Sequence, residues 1–440
     1  MIPQPRPPAI STRRVALPLI AAALFAACSD SSNEPAPDDG GHVTHRSDSP
    51  RNTAPSATEG EISLLTRGGA DFAFDLFGRF GSEGNLLVSP LGIRVAFAMV
   101  YGGAKGTTAE EMAAALRYDG FDEDALHDVF NALDLALAAR ILPEGPEGED
   151  PVDLFLANSF WGRSGEEFLA EYLDLLAENY GSGVETLDFT NRPDESRSVI
   201  NGWVEERTRD RIRDLLPEGS ITANTAAVLV NALYFKAPWS APFDENRTGA
   251  GTFRRADGIA VGAEMMRISE EFRYAEGEGY RALEMDFRGK ELAALFLLPD
   301  EGGFDGFAEG LDGEALAGIV DGLAPAGVDV TLPKFTFESE FRLKETLTAM
   351  GMVVPFTSAA DFTGMRSTGG LAIDEAYHKT FIDLNEKGVE AAAATAVVMN
   401  DTALPTPSET FTADRPFLFL IRDRSTGAVL FLGRLMDPSA

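Results

Sequence analysis

Four histidines and one cysteine are the side chains from which this chain could build nucleophilic or metal chemistry. His42 and His45 fall in a polar N-terminal stretch, which leaves His127 and His378 as the general-base candidates of the folded region. His127 lies on an acidic amphipathic window and reads as a surface residue. His378 lies in an apolar run and reads as a hydrogen-bonded core residue. No G-x-S-x-G turn presents a serine, and no H-E-x-x-H pair presents a metal. Cys28 alone can form neither a thiolate cage nor an intrachain disulfide. Gly102-Gly103-Ala104-Lys105-Gly106-Thr107-Thr108 has some features of a phosphate loop, but its lysine precedes a glycine where Ser or Thr is needed, and no strand leads into it. It reads as a turn between helices. Paired carboxylates do not discriminate in so acidic a chain. The reading is therefore not an enzyme, with no metal site and no cofactor expected.

The scaffold that positions these residues is large. The chain has 440 residues and 44% apolar content, enough for a deep core. Its formal net charge of -33 repels phosphate backbones and anionic lipid surfaces, so no nucleic-acid partner is expected. The window Asp122 to Asp134 carries Asp122, Glu123, Asp124, Asp128 and Asp134. No basic helix for sulfated polysaccharides (no glycosaminoglycan site) is evident, and a monomer is expected.

Residues 1–28 have the logic of an export signal, with Arg6, Arg13 and Arg14 ahead of an apolar run from Val15 to Ala27. Pro18 and the short length argue against a transmembrane helix. The ending F-A-A-C is similar to the bacterial lipoprotein box, in which Cys28 would be lipidated, and Ser29 after it resembles the outer-membrane sorting pattern. The alternative is ordinary signal cleavage near Ala27, giving a secreted protein. Residues 29–60 hold almost no large apolar side chain and read as a disordered tether. A folded domain is expected over 61–440.

Within it, Ile62, Leu65, Phe72, Leu76 and Phe80 fall near helical spacing, Ser89-Pro90 opens a second helix, and Thr107 or Thr108 caps a third. Asp153 to Trp161 reads as a strand, and Phe168 to Tyr180 and Asp194 to Ile212 as helices. Ala226 to Phe235 is an apolar run suited to a strand buried on both faces. Strands then dominate: 272–274, 281–286, 292–298, 328–337, 377–384, 417–421 and 429–435, with one helix near Phe341 to Met350. No internal repeat and no second linker occur, so one mixed α+β domain is expected.

One window stands apart. Glu386 to Met399 reads E-K-G-V-E-A-A-A-A-T-A-V-V-M. Alternate positions Val389, Ala391, Ala393, Thr395 and Val397 are small or β-branched, as in a strand able to slide between two others, and Glu390 marks the opposite face as able to meet water. Four alanines are equally compatible with a helix or a linker, so local composition leaves the conformation open.

Several separated stretches resemble one family, the serpins. They are Asn85-Leu86-Leu87-Val88-Ser89-Pro90, Leu229-Val230-Asn231-Ala232-Leu233-Tyr234-Phe235-Lys236-Ala237-Pro238-Trp239, Leu332-Pro333-Lys334-Phe335 and Asp361-Phe362-Thr363-Gly364-Met365. Tyr377-His378-Lys379, the Glu386 window, Arg415-Pro416-Phe417-Leu418-Phe419 and Phe431-Leu432-Gly433-Arg434 complete the set. The resemblance covers essentially everything after residue 60. It implies a serpin fold of about nine helices and three β-sheets with an exposed reactive-centre loop at about 387–415. It also implies a suicide-substrate inhibitor whose cleaved loop inserts into the central sheet and traps the acyl-enzyme. The alternative is a non-inhibitory serpin acting as a binding, chaperone or storage protein.

On the same resemblance Glu386, Gly388, Val389, Glu390, Ala391, Ala392, Ala393, Ala394 and Thr395 form the hinge, with Val389 where a threonine is usual. Ser89, Asn231 and His378 match the polar cluster under the sheet-opening point, Gly92 stands where a second serine is frequent, and Trp239 matches the tryptophan at the top of the sheet. Counting from Glu386 puts the scissile bond at Thr402-Ala403, with Leu404 as runner-up. The loop has no Lys or Arg between Lys387 and Arg415, so trypsin-like enzymes are poor targets. Thr402 suits elastase-like or subtilisin-like serine proteases, Leu404 chymotrypsin-like ones, and a cysteine protease, which also forms an acyl-enzyme, stays open.

Overall fold

The computed structural model of the chain describes residues 41–146, 148–390 and 408–440. The signal segment with Cys28, hinge residues Ala391, Ala392, Ala393, Ala394 and Thr395, and the candidate bond residues Thr402, Ala403 and Leu404 lie outside the described residues.

The stretch before Glu61 departs from the tether expected of it. β1 (Val43–His45) pairs antiparallel with Val184–Leu187. Further on, Arg51 donates to Asn131 Oδ1 at 2.9 Å and pairs with Asp134 at 2.6 Å. Asp128 accepts from the Ser56 N–H at 2.6 Å and from Asn52 at 3.2 Å. A segment poor in apolar side chains is held here by charge-assisted hydrogen bonds instead of by burial.

Helix starts follow the caps. α1 (Glu59–Gly78) opens on a capping box: the Thr58 hydroxyl accepts from the Glu61 N–H and the Glu61 carboxylate accepts from the Thr58 N–H. β2 (Leu86–Val88) leads into α2 (Pro90–Tyr101), which has Ser89 as its cap and proline in its first turn. α3 (Gly106–Ala115) lacks the expected threonine cap, because the Thr108 hydroxyl accepts from the Asp361 N–H at 2.8 Å. α4 (Glu123–Ala138) is capped by Asp122.

The chain continues through β3 (Asp153–Arg163), α5 (Ala170–Tyr180), β4 (Val184–Leu187), α6 (Pro193–Arg207), β5 (Ala227–Pro238), β6 (Gly249–Arg254), β7 (Ala260–Gly277), β8 (Tyr280–Asp286) and β9 (Leu292–Pro299). Then come α7 (Phe304–Glu309), α8 (Gly313–Gly322), β10 (Ala324–Pro333), β11 (Phe335–Arg342), α9 (Leu343–Ala349), β12 (Glu375–Asn385), β13 (Gly388–Val389), β14 (Glu409–Thr412), β15 (Phe417–Asp423) and β16 (Val429–Leu435).

The strands form a first sheet in the order β1-β4-β3-β5-β13-β12-β11 and a second in the order β14-β10-β7-β8-β9-β15-β16-β2, with β6 beside β7. Where three sheets are expected, hydrogen bonding joins two of them. The 18-residue β7 runs through both, pairing with β6 and β10 along its length and with β8 at its end. The single strand expected over 328–337 is two strands in different sheets, broken at Lys334. The helix expected to reach Ile212 stops at Arg207. Thr208 ends it by donating to the Val204 carbonyl at 2.9 Å and accepting from the Ile212 N–H at 3.1 Å, and Arg209 and Asp210 then take φ of 51° and 61°.

β5 explains its own apolar run. Val228, Val230 and Ala232 pack under α6 with Trp161, Ile200 and Val204, while Leu229, Leu233, Phe235 and Ala237 join the main core on the opposite face. A strand covered on both faces has no polar side to show.

Candidate functional site

β5 and β12 are parallel neighbours in the middle of the first sheet, and their pairing is incomplete. Val228 to Ala232 pair with Glu375 to Lys379. Above Lys379 the strands part, and β13 occupies the opening, with Val389 opposite Ala237 and Leu384, and Gly388 opposite Pro238 and Asn385. Leu233–Lys236 and Thr380–Ile382 lie between these two zones, each paired on its outer side only among the described residues. Gly388 and Val389 are thus seated in the sheet, not in the exposed loop expected of them, and Glu409–Thr412 pairs with β10 at the distal end.

Gly388 is required by contact as well as by φ. A Cβ there would lie 2.1 Å from the Ala237 carbonyl oxygen, with φ at 151°. Trp239 holds the turn before it. Its indole N–H donates to the Asn385 carbonyl at 3.0 Å, its backbone N–H donates to the Lys387 carbonyl at 2.8 Å, and its ring stacks on Phe287 at 4.6 Å. Glu386 is buried and pairs with Lys334 at 3.1 Å. Burial pushes its carboxyl up, but its own backbone N–H and Lys334 outweigh that and leave it below the usual range.

Glu390 does not face water. Its side chain is 2% exposed, its backbone takes φ of 53°, and its backbone N–H donates to the Asp383 carbonyl at 2.8 Å. The carboxylate lies 3.3 Å from Arg211 Nε, on the loop that follows α6. Burial raises its pKa above the usual value, with Arg211 acting in the opposite direction. Sequence reading missed this pairing because a charge in an Ala-rich window reads as a solvent-facing one, and Arg211 was placed inside a helix.

Below the opening, Ser89, Asn231 and His378 do come together. The Ser89 N–H donates to His378 Nε2 at 3.0 Å, which fixes the tautomer, and His378 Nδ1 then donates to Asn231 Oδ1 at 2.6 Å. The Asn231 amide donates onward to Asn158. Burial pushes the imidazole pKa down to about 3, so it is neutral at physiological pH. A side chain at Gly92 has no room, since its Cβ would meet Asn231 Nδ2 at 2.5 Å and Ser89 Oγ at 2.9 Å. β2 is tied beneath the same strands: the Thr380 hydroxyl donates to the Leu87 carbonyl at 2.8 Å, and the Leu87 N–H donates to the Ser339 hydroxyl at 3.0 Å. Trp239 belongs to the hinge end, apart from this cluster.

His127, expected at the surface, is buried and accepts or donates at Nδ1 with the Tyr180 hydroxyl at 2.6 Å. The acidic residues of α4 obscured the fact that His127 falls beside Leu126 and Phe130 on its inner side. Among the described residues no cluster of three or more His, Cys, Asp or Glu could hold a metal ion.

Gly388 and Val389 thus enter a central sheet in which, among the described residues, β5 and β12 part above Lys379. The profile of the Serpin (serine protease inhibitor) family matches residues 67–438. The chain is similar to Serpin B4 of Homo sapiens, 37% identical over 398 residues, covering 86% of this chain and 100% of that one. It is also similar to the leukocyte elastase inhibitor of Bos taurus, 36% identical over 391 residues, covering 86% and 100%. The fold is similar to that of tengpin, a thermophilic serpin in the native state, with a TM-score of 0.77, 27% identity and coverage of 88% and 97%. The chain belongs to the serpin family, many of whose members inhibit serine proteases.

Proposed function

We propose that this chain is an inhibitory serpin, a suicide substrate for serine endopeptidases of the elastase-like, subtilisin-like or chymotrypsin-like kind. The observation that carries the reading is the stretch of β5 and β12 that, among the described residues, has no partner on its inner side, with Gly388 and Val389 seated at its upper end. Cleavage at Thr402-Ala403 would free the Ala-rich segment to continue from Val389 down this gap. Insertion of about 15 residues at ~3.3 Å each displaces the acylated end by roughly 50 Å. Each new ladder hydrogen bond adds only about 1 kcal/mol net, so many must form together. Ala391 to Ala394 present no side chain bulky enough to slow that zipping before the acyl-enzyme hydrolyses.

The proposal includes export directed by residues 1–28 and attachment to the bacterial cell envelope through a lipid on Cys28. Similarity to the leukocyte elastase inhibitor is consistent with a small residue at the scissile bond. The test is incubation with elastase-like and subtilisin-like enzymes. A complex that survives denaturing gels, with a released peptide beginning at Ala403, is expected. Cleavage without complex across such a panel, and no rise in melting temperature after cleavage, would overturn the inhibitory reading. Metabolic labelling with a fatty acid, lost in Cys28→Ala, tests the anchor.

A further inference from the structure

The N-terminal strap, residues 42–58, fixes the point at which the chain enters the domain. β1 pairs with β4 through Val43 opposite Thr186 and His45 opposite Val184. Side chains reinforce the pairing: His42 Nε2 lies 2.7 Å from Glu185 Oε2, the Thr44 hydroxyl donates to the same oxygen at 2.6 Å, and Arg46 donates to the Gly181 carbonyl at 2.8 Å. Gly183 makes room for the strap, since a Cβ there would lie 2.4 Å from the His45 carbonyl oxygen.

Strand register says which end of the first sheet this is. Gly388 lies opposite Pro238, the last residue of β5, whereas Ala227, the first, lies opposite Gly162 of β3. Gly162 is in turn opposite Thr186, and Thr186 opposite Val43. β1 is therefore level with the start of β5, a strand of 12 residues whose two ends are about 36 Å apart. β13 runs antiparallel to β5, so a strand continuing from Val389 heads for the end at which β1 sits.

Twelve residues, 29–40, separate Cys28 from Gly41. A chain of that length reaches at most about 45 Å. A serine endopeptidase of about 230 residues is of similar width. The formal net charge of -33 repels an anionic lipid surface and holds the domain off it.

On the inhibitory and lipid-anchored reading above, we propose that the chain stands with its reactive end away from the envelope and delivers the trapped protease to the lipid surface, into the space spanned by residues 29–40. The captive then lies between the domain and the lipid, and the spacer is about as long as that position requires. A shorter spacer stops the strand before it is fully inserted, and water then releases the protease from the acyl-enzyme, leaving the chain cleaved.

The test uses the full lipidated chain on phosphatidylcholine–phosphatidylglycerol vesicles that carry an acceptor-labelled lipid, with a donor-labelled subtilisin-like protease. Active protease, which ends in the covalent complex, is expected to show strong energy transfer to the lipid. The same protease with its nucleophilic serine replaced by alanine only docks on the loop, and is expected to show several-fold less. Deletion of residues 30–38 is expected to raise several-fold the amount of chain consumed per protease blocked on vesicles, and to leave it unchanged in soluble Cys28→Ala. Equal transfer from the two proteases, or an equal effect of the deletion on and off the vesicle, overturns the proposal. Failure of the full chain to bind vesicles overturns the anchor and this orientation together, whereas failure of soluble Cys28→Ala to form a covalent complex overturns the inhibitory reading itself.

Discussion

Arg211 and Glu390 form an ion pair at 3.3 Å in which the arginine is half exposed and the glutamate side chain is 2% exposed. The pair joins the loop after α6 to the last described residue before the Ala-rich segment.

Removing the cation leaves a buried charge unpaired, which favours release of the hinge. Because Arg211 is half exposed, the effect is nearer 1–2 kcal/mol than the cost of a fully buried pair. Arg211→Ala is expected to speed proteolytic nicking of residues 391–407 several-fold. An unchanged nicking rate would show that the pair does not restrain the hinge.

Acidity acts on the same contact with a definite sign. The Glu390 pKa is raised in the seated state, mainly by burial. The seated hinge therefore binds its proton more tightly than a released one, so seating strengthens as pH falls through the raised value and weakens as pH rises above it. Fluorescence of Trp239, which is bonded to Asn385, is expected to follow this change, and Glu390→Gln to abolish it.

Gly388→Ala introduces a methyl group 2.1 Å from the Ala237 carbonyl and should expel β13 from the sheet. The expected result is loss of the Trp239–Asn385 constraint with little change in the far half of the molecule. Limited proteolysis and hydrogen exchange at Leu384 to Val389 measure it.

The two buried histidines make the folded state acid-sensitive. Their pKa values fall to about 3 for His378 and about 4 for His127, chiefly through burial. Below pH 6.5 the unfolded chain takes up protons that the folded imidazoles refuse, so stability is lost as pH falls from there towards the folded values. At pH 5 the loss is about 2 kcal/mol for each histidine. Denaturant midpoints at pH 7 and pH 5 should show it, with roughly half the slope remaining in His378→Gln.

Much of this site was legible because it depends on local requirements. The double-faced apolar run of β5 announces its role without tertiary context, whereas the hinge role of Gly388 rested on the family resemblance, since what requires glycine there is the close approach of the Ala237 carbonyl. Seating of Gly388 and Val389 was not legible, since it depends on how far β5 and β12 separate above Lys379. Glu390 and His127 were misplaced for one reason: charge in the neighbourhood reads as exposure, although a specific partner or an inward turn of the helix can bury it. The strap was missed because Arg51, Asn52 and Ser56 order it through polar partners on α4, a kind of complementarity that hydrophobic pattern does not register. The signal segment, Ala391–Thr395 and the Thr402-Ala403 bond were read from sequence alone and stand as proposals.

β1 has a bearing on assembly. By pairing with β4 it becomes the outer edge strand of the first sheet, only three residues long, while the opposite edge, β11, carries Glu338, Glu340 and Arg342. Short or charged edge strands resist recruitment of strands from neighbouring molecules. With a three-residue strand at one flank and charged side chains at the other, self-association by strand exchange at the borders of this sheet is disfavoured.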